Sequence, residues 1–180
     1  DSDPVSVFKA QIKLVQQSGI VMAMVGLLNA PRGTRLYRRM ADERRLTEEK
    51  ATGDNTDCSL NFIPKMNAET LINGYKSILT TIYSPRQYYE RVKTFLKEYQ
   101  PPKRRHIRLQ FHDLRPLLNT IWVLGIREKG RRYYWKLFLS TLLKRPRSFP
   151  LSITLAVYGF HFRKVVEKYV APRSPGRQEI

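Results

Sequence analysis

The stretch Gly19-Ile20-Val21-Met22-Ala23-Met24-Val25-Gly26-Leu27-Leu28-Asn29-Ala30-Pro31-Arg32-Gly33-Thr34 decides how this chain is read. Ile20–Leu28 is a continuous apolar run bounded by glycine on one side and a Pro/Gly loop on the other, the pattern of a buried parallel strand ending in a functional loop. A parallel strand needs neighbours on both edges and layers on both faces. The residues around it supply a flanking helix but no second strand of comparable strength. The expectation is that the chain begins partway through a larger α/β domain.

Upstream, Asp3 can cap a helix whose first position is Pro4. Phe8, Ile12 and Val15 share one stripe of it, and Gly19 stands where it should end. Helix, glycine and apolar strand together form the second half of a β-α-β crossover. Downstream, Ala30–Gly33 reads as a loop, and Thr34 caps a short helix through Leu36, Tyr37 and Met40 to about Arg44. Loops at the carboxyl ends of parallel strands are where such sheets place ligands. The polar stretch Thr47–Pro64 reads as a long loop carrying Asp54, Asn55, Thr56 and Asp57.

From Asn67 the pattern is helical. Asn67 caps a helix faced by Leu71, Ile72, Tyr75, Ile78, Leu79 and Ile82, which ends before Ser84-Pro85. Pro85 opens the next helix, through Tyr88, Tyr89, Val92, Phe95, Leu96 and Tyr99, and Pro101-Pro102 stops it. Lys103-Arg104-Arg105 reads as a linker. Helical segments follow over about 111–126, interrupted or begun at Pro116, then about 130–143 and about 150–169. Short connections between them predict an irregular helical bundle over residues 67–170. The Pro/Gly-bearing tail, 171–180, reads as disordered.

The chain has 180 residues with 42% hydrophobic and 27% charged residues, a globular composition with enough apolar material for a core. Its formal charge of +18 is uneven. Residues 1–100 hold 15 Lys+Arg against 11 Asp+Glu, whereas residues 101–180 hold 18 against 4. The basic second half would attract anions of any kind: nucleic acid, anionic lipid head groups or phosphorylated substrates. A single cysteine, Cys58, excludes an internal disulfide, and no secretory signal is evident, so a cytoplasmic location is expected. Neither of the longest apolar runs, Ile20–Leu28 and the mixed stretch Leu151–Phe162, reaches the roughly 18 residues of a membrane span, which leaves peripheral membrane contact open.

Several residue groups together carry a resemblance. They are Asp1-Ser2-Asp3-Pro4, Ser18-Gly19-Ile20, Met24-Val25-Gly26-Leu27-Leu28-Asn29-Ala30 and Gly33-Thr34-Arg35-Leu36-Tyr37-Arg38-Arg39. Further on come Asp54-Asn55-Thr56-Asp57, Leu60-Asn61-Phe62-Ile63-Pro64-Lys65-Met66, Gly74-Tyr75, Thr81-Ile82-Tyr83-Ser84-Pro85 and Tyr88-Tyr89-Glu90-Arg91. In that order, over about half the chain, they resemble the C-terminal region of cobalamin (B12)-binding radical S-adenosylmethionine (SAM) proteins. The resemblance implies an α/β fragment followed by a mostly α region: the last helix-strand-helix of a partial (β/α) barrel plus an irregular helical bundle. Residues 1–46 would be the barrel's C-terminal edge, 47–66 a long loop, 67–170 the family's helical C-terminal domain and 171–180 the tail.

The resemblance also implies that Val25, Leu27 and Leu28 form an apolar rest for the adenine of SAM while Asn29 offers polar contacts; simple strand burial is the alternative. Asp54–Asp57 are substrate-loop candidates, set against a self-bonded turn. The parent enzyme would use SAM, a [4Fe–4S] cluster and cobalamin, as a methyltransferase or another iron-sulfur enzyme. This chain lacks the Cys-x-x-x-Cys-x-x-Cys triplet, and Cys58 alone cannot hold a cluster. Expected by itself, then, is a chain that binds no cofactor, contains no catalytic residue or metal site and is inactive. Its partners would be the rest of the parent enzyme and an anionic membrane surface or lipid substrate, with nucleic acid ranked behind. Arg131-Arg132-Tyr133-Tyr134-Trp135-Lys136 invites the nucleic-acid reading, but helical spacing lets those aromatics point into a bundle instead.

Overall fold

A computed structural model describes residues 4–47, 58–101 and 111–169. Its elements run α1 (Val7–Gln17), α2 (Arg35–Asp42), α3 (Ala68–Ile82), α4 (Pro85–Glu98), α5 (Phe111–Thr120), a π-helical segment (Ile121–Arg127), α6 (Arg131–Lys144), a 3-10 turn (Pro146–Ser148) and α7 (Phe149–Tyr169). The helical bundle read from the sequence is therefore present. The predicted cap at Asp3, the Asp54–Asp57 loop, the basic linker at 103–105 and the tail at 171–180 lie outside the described residues.

Local chemistry sets the helix ends. Gly19 adopts φ +68°, which a side chain would oppose, and closes the turn after α1. Thr34 Oγ1 accepts the Tyr37 N–H at 3.1 Å at the start of α2, and Asn67 Oδ1 accepts the Thr70 N–H at 3.1 Å at the start of α3. Pro85 occupies the first turn of α4, where its missing N–H is harmless. Pro116 lies inside α5, and the helix loosens into the π-helical segment at Ile121.

The Ile20–Leu28 stretch differs from its sequence reading. It forms neither helix nor strand and bends at Val21 and Met22, but its burial alternates as a strand's would: Val21 is buried and Val25 and Leu27 half-buried, while Ile20, Met22, Met24 and Leu28 are exposed. Yet among the described residues there is no sheet, only an isolated antiparallel bridge between Leu46 and Phe62. The physical reason is that a strand is defined by its neighbours. Periodicity shaped the backbone, and the hydrogen-bond ladder has no partner in the described chain.

The chain divides into two compact units: Asp1–Ile12 with Met24–Thr80 and Val165–Ile180, and Lys13–Ala23 with Thr81–Lys164. In the first, Ala30, Met40 and Phe62 are buried together under Leu36, Tyr37 and Leu46. α3 adds Tyr75, Ile78 and Leu79 to the buried set. Its Gly74 is fixed by close approach, since a Cβ there would lie 2.3 Å from the Phe8 ring. That contact outweighs the roughly 1 kcal/mol by which alanine would favour a helix.

In the second unit, α4 buries Tyr88, Tyr89, Val92 and Leu96, α6 buries Tyr134 and Leu137, and α7 buries Leu155 and Ala156. Several polar groups inside are matched, although Arg163 Nε has no hydrogen-bond partner among the described residues. The Tyr88 hydroxyl donates to Leu155 O at 2.7 Å, Thr141 and Ser152 hydroxyls meet at 3.0 Å, and Arg163 pairs with Glu128 at 3.3 Å. Burial raises the Tyr88 and Tyr89 hydroxyls well above the ordinary phenol range, so both stay protonated donors.

Candidate functional site

In the first unit, the segment from Val25 to Leu28 forms one wall of a cavity of about 160 Å³. Val25, Gly26, Leu27 and Leu28 line it, with Phe8, Gln11, Tyr75 and Ile78 from α1 and α3. Three of the four residues predicted to cradle a ligand thus line one apolar cavity. Self-sufficient small-molecule pockets usually run to roughly 300–1,000 Å³. This one can take only part of a cofactor.

Asn29, the fourth, sits differently. Its side-chain amide donates to Ser59 O at 3.2 Å, and its Oδ1 accepts the Asn61 N–H at 3.0 Å. Asn29 therefore positions residues 59–61. The buried Asn61 side chain then pairs with both backbone groups of Ala30: the Ala30 N–H donates to Oδ1 at 2.8 Å and Nδ2 donates to Ala30 O at 2.8 Å. A side-chain amide presents the donor and acceptor that a neighbouring strand would present.

The second unit holds its own part of the segment in the same manner. The Tyr83 hydroxyl donates to Ala23 O at 2.8 Å and accepts the Ala23 N–H at 3.3 Å. Fully buried Arg91 donates through Nε to Ile20 O at 3.0 Å, through Nη2 to Val21 O at 3.4 Å, and through Nη1 to Gln16 Oε1. Its guanidinium also lies 5.5 Å from the Tyr88 ring centre. Burial lowers the Arg91 pKa from its ordinary value, and the nearby phenols counter that shift.

Between these anchors the backbone is open. Among the described residues, no N–H or C=O of Met24, Val25, Gly26, Leu27 or Leu28 has a hydrogen-bond partner. Ten backbone groups in a row would be free to pair, and Val25 to Leu28 line the cavity. Asn61, Tyr83 and Arg91 were not singled out by sequence reasoning. Their only signal was membership in the motif runs Asn61-Phe62-Ile63-Pro64, Tyr83-Ser84-Pro85 and Tyr88-Tyr89-Glu90-Arg91.

Asp54, Asn55, Thr56 and Asp57 lie outside the described residues. Cys58, in no disulfide, is half-buried at φ +58°. Among the described residues, no group of three or more His, Cys, Asp or Glu side chains could hold a metal ion, and no helix is long and apolar enough to cross a membrane.

Comparison with known proteins adds the lineage. Residues 34–173 match the family described as a domain of unknown function, DUF4070. The chain belongs to the DUF4070 family. The DUF4070 match begins at the N-cap of α2, so α1 and the open segment precede it. An uncharacterized methyltransferase, sll1242, from Synechocystis is 28% identical over 164 residues, covering 88% of this chain and 31% of that protein. The chain thus spans about a third of the length of that curated relative. No solved structure matches this DUF4070 chain.

Proposed function

We propose that this chain is the C-terminal portion of a cobalamin-binding radical SAM enzyme that acts as a methyltransferase. Ile20–Leu28 would supply one strand to a barrel completed by residues elsewhere in a longer polypeptide. The observation that carries the reading is the open backbone from Met24 to Leu28 beside an apolar cavity too small to hold a whole cofactor. The methyltransferase in the relative's name, and the third of its length that this chain spans, support it.

The residues present fit SAM in part. Val25, Leu27 and Leu28 would flank the adenine ring, burying its faces, and Asn29 would hold the 59–61 loop against the strand end. SAM supplies the transferable methyl group when bound; the chain's own contribution is apolar packing, orientation and exclusion of water. The residues do not fit an iron-sulfur cluster, because one thiol cannot replace several, and its ligands would lie outside this chain. Asp54–Asp57 remain candidates for positioning the substrate.

The test is SAM turnover by the longer polypeptide containing this chain, prepared anaerobically with its cluster. Leu27→Asp is expected to raise the KM for SAM by roughly tenfold or more, since a carboxylate in an apolar cavity costs over a kcal/mol. A longer polypeptide that consumes no SAM, or a variant with unchanged KM, would remove the reading.

A further inference from the structure

The second unit carries a basic cleft that the methyltransferase reading does not use. Lys93 and Lys97 of α4 and Lys144 of α6 line a cavity of about 240 Å³ floored by Leu96 and Leu137. An adjoining cavity of about 300 Å³, also lined by Lys144, adds Arg147. Cations near helix C-termini can simply offset the helix dipole, and Arg145 does so, donating to Lys97 O at 2.9 Å and to Leu96 O. Lys97 and Lys144 also stand in the last turns of α4 and α6, whereas Lys93 does not. Among the described residues, none of them makes an ion pair or donates to a carbonyl.

Beside the cleft, α6 presents a second feature. Arg132, Lys136, Leu139 and Leu143 fall at i, i+4, i+7 and i+11, one stripe on the face opposite Tyr134, Leu137 and Thr141. Leu143 is 78% exposed and Leu139 50%. Uncovered leucines interleaved with cations match a surface charged at its face and apolar just beneath, which is the make-up of an anionic bilayer. Nucleic acid would need accessible rings for stacking. In the Arg131–Lys136 run Tyr134 is buried and the Trp135 ring N–H is held by Gly125 O at 3.0 Å, and the exposed rings Trp122 and Tyr158 lie on other elements.

We propose that the second unit docks on an anionic membrane surface, with lipid phosphates entering the Lys93–Lys97–Lys144 cleft and Leu139 and Leu143 entering the acyl boundary. This stands independently of the methyltransferase reading. The chain is incubated at low salt with vesicles of equal parts phosphatidylglycerol and phosphatidylcholine, and with pure phosphatidylcholine vesicles. It is expected to sediment with the first and not the second. The combined Lys93→Gln, Lys97→Gln and Lys144→Gln variant should lose roughly a hundredfold in affinity, at about fivefold per charge. Leu139→Ser with Leu143→Ser should lose tenfold or more, with helical content unchanged because both side chains are exposed. Glycerol phosphate and a single-stranded oligonucleotide are tested in parallel. Equal binding to both vesicles, full binding by either variant, or binding of glycerol phosphate or oligonucleotide without vesicle binding would overturn the proposal.

Discussion

Arg91→Met is expected to lower the stability of the chain by about 3–5 kcal/mol, the cost of removing one partner from a buried charged network. Arg91 is fully buried, and its fork supplies donors to Ile20 O, Val21 O and Gln16 Oε1. Methionine fills a similar volume, so the loss is mainly of hydrogen bonds, and each acceptor left dry costs on the order of 1–3 kcal/mol. Arg91→Lys keeps the charge but offers a single point of donation where three acceptors are spread out, so it should fall between the two. Urea unfolding reads the result. A midpoint for Arg91→Met that corresponds to less than about 1 kcal/mol of loss would mean these contacts are not formed.

Asn61→Asp should follow, at roughly 2–3 kcal/mol near neutral pH, from the same balance applied to a change of one atom type. The native Nδ2 donates to Ala30 O at 2.8 Å, and an ionised carboxylate would set oxygen against oxygen there. The introduced carboxyl is relieved by taking up a proton and donating it to Ala30 O, so its pKa in the folded state lies above its unfolded value of about 3.9. The folded variant then binds more protons than the unfolded one. Its deficit should therefore shrink as pH falls toward 4 and be full above the raised pKa. Unfolding midpoints measured from pH 7 down to 4 report this, and a deficit that is flat or grows on acidification would contradict the Asn61–Ala30 pairing.

The sequence made the helices legible because their signals are local. Thr34, Asn67, Gly19 and Pro85 act within a turn of themselves, and each stands at a helix end in the structure. The apolar stripes of α3 and α4 are periodic enough to identify the buried faces. The Ile20–Leu28 stretch was half legible. Alternation at 20–30 shows in the burial pattern, but a ladder depends on another segment, and period alone cannot say whether that segment is present.

Within the candidate site, Val25, Leu27 and Leu28 were legible as apolar residues at a strand's carboxyl end. The structural use of Asn29, and the parts played by Asn61, Tyr83 and Arg91, were not. Each depends on contacts 31 to 71 residues away along the chain, where one sequence carries no spacing rule. The basic cleft was not legible, since Lys93 and Lys97 come from the half of the chain that is nearly balanced and only Lys144 of the three lysines from the basic half.

Amide hydrogen exchange at Met24–Leu28, compared between this chain alone and the longer polypeptide, tests the open strand most directly. Five residues without backbone partners should exchange at nearly unprotected rates in the chain alone and slow by roughly a thousandfold or more once flanked by a strand. Strong protection in the chain alone, or equal rates in both, would show that this backbone has no neighbour to gain.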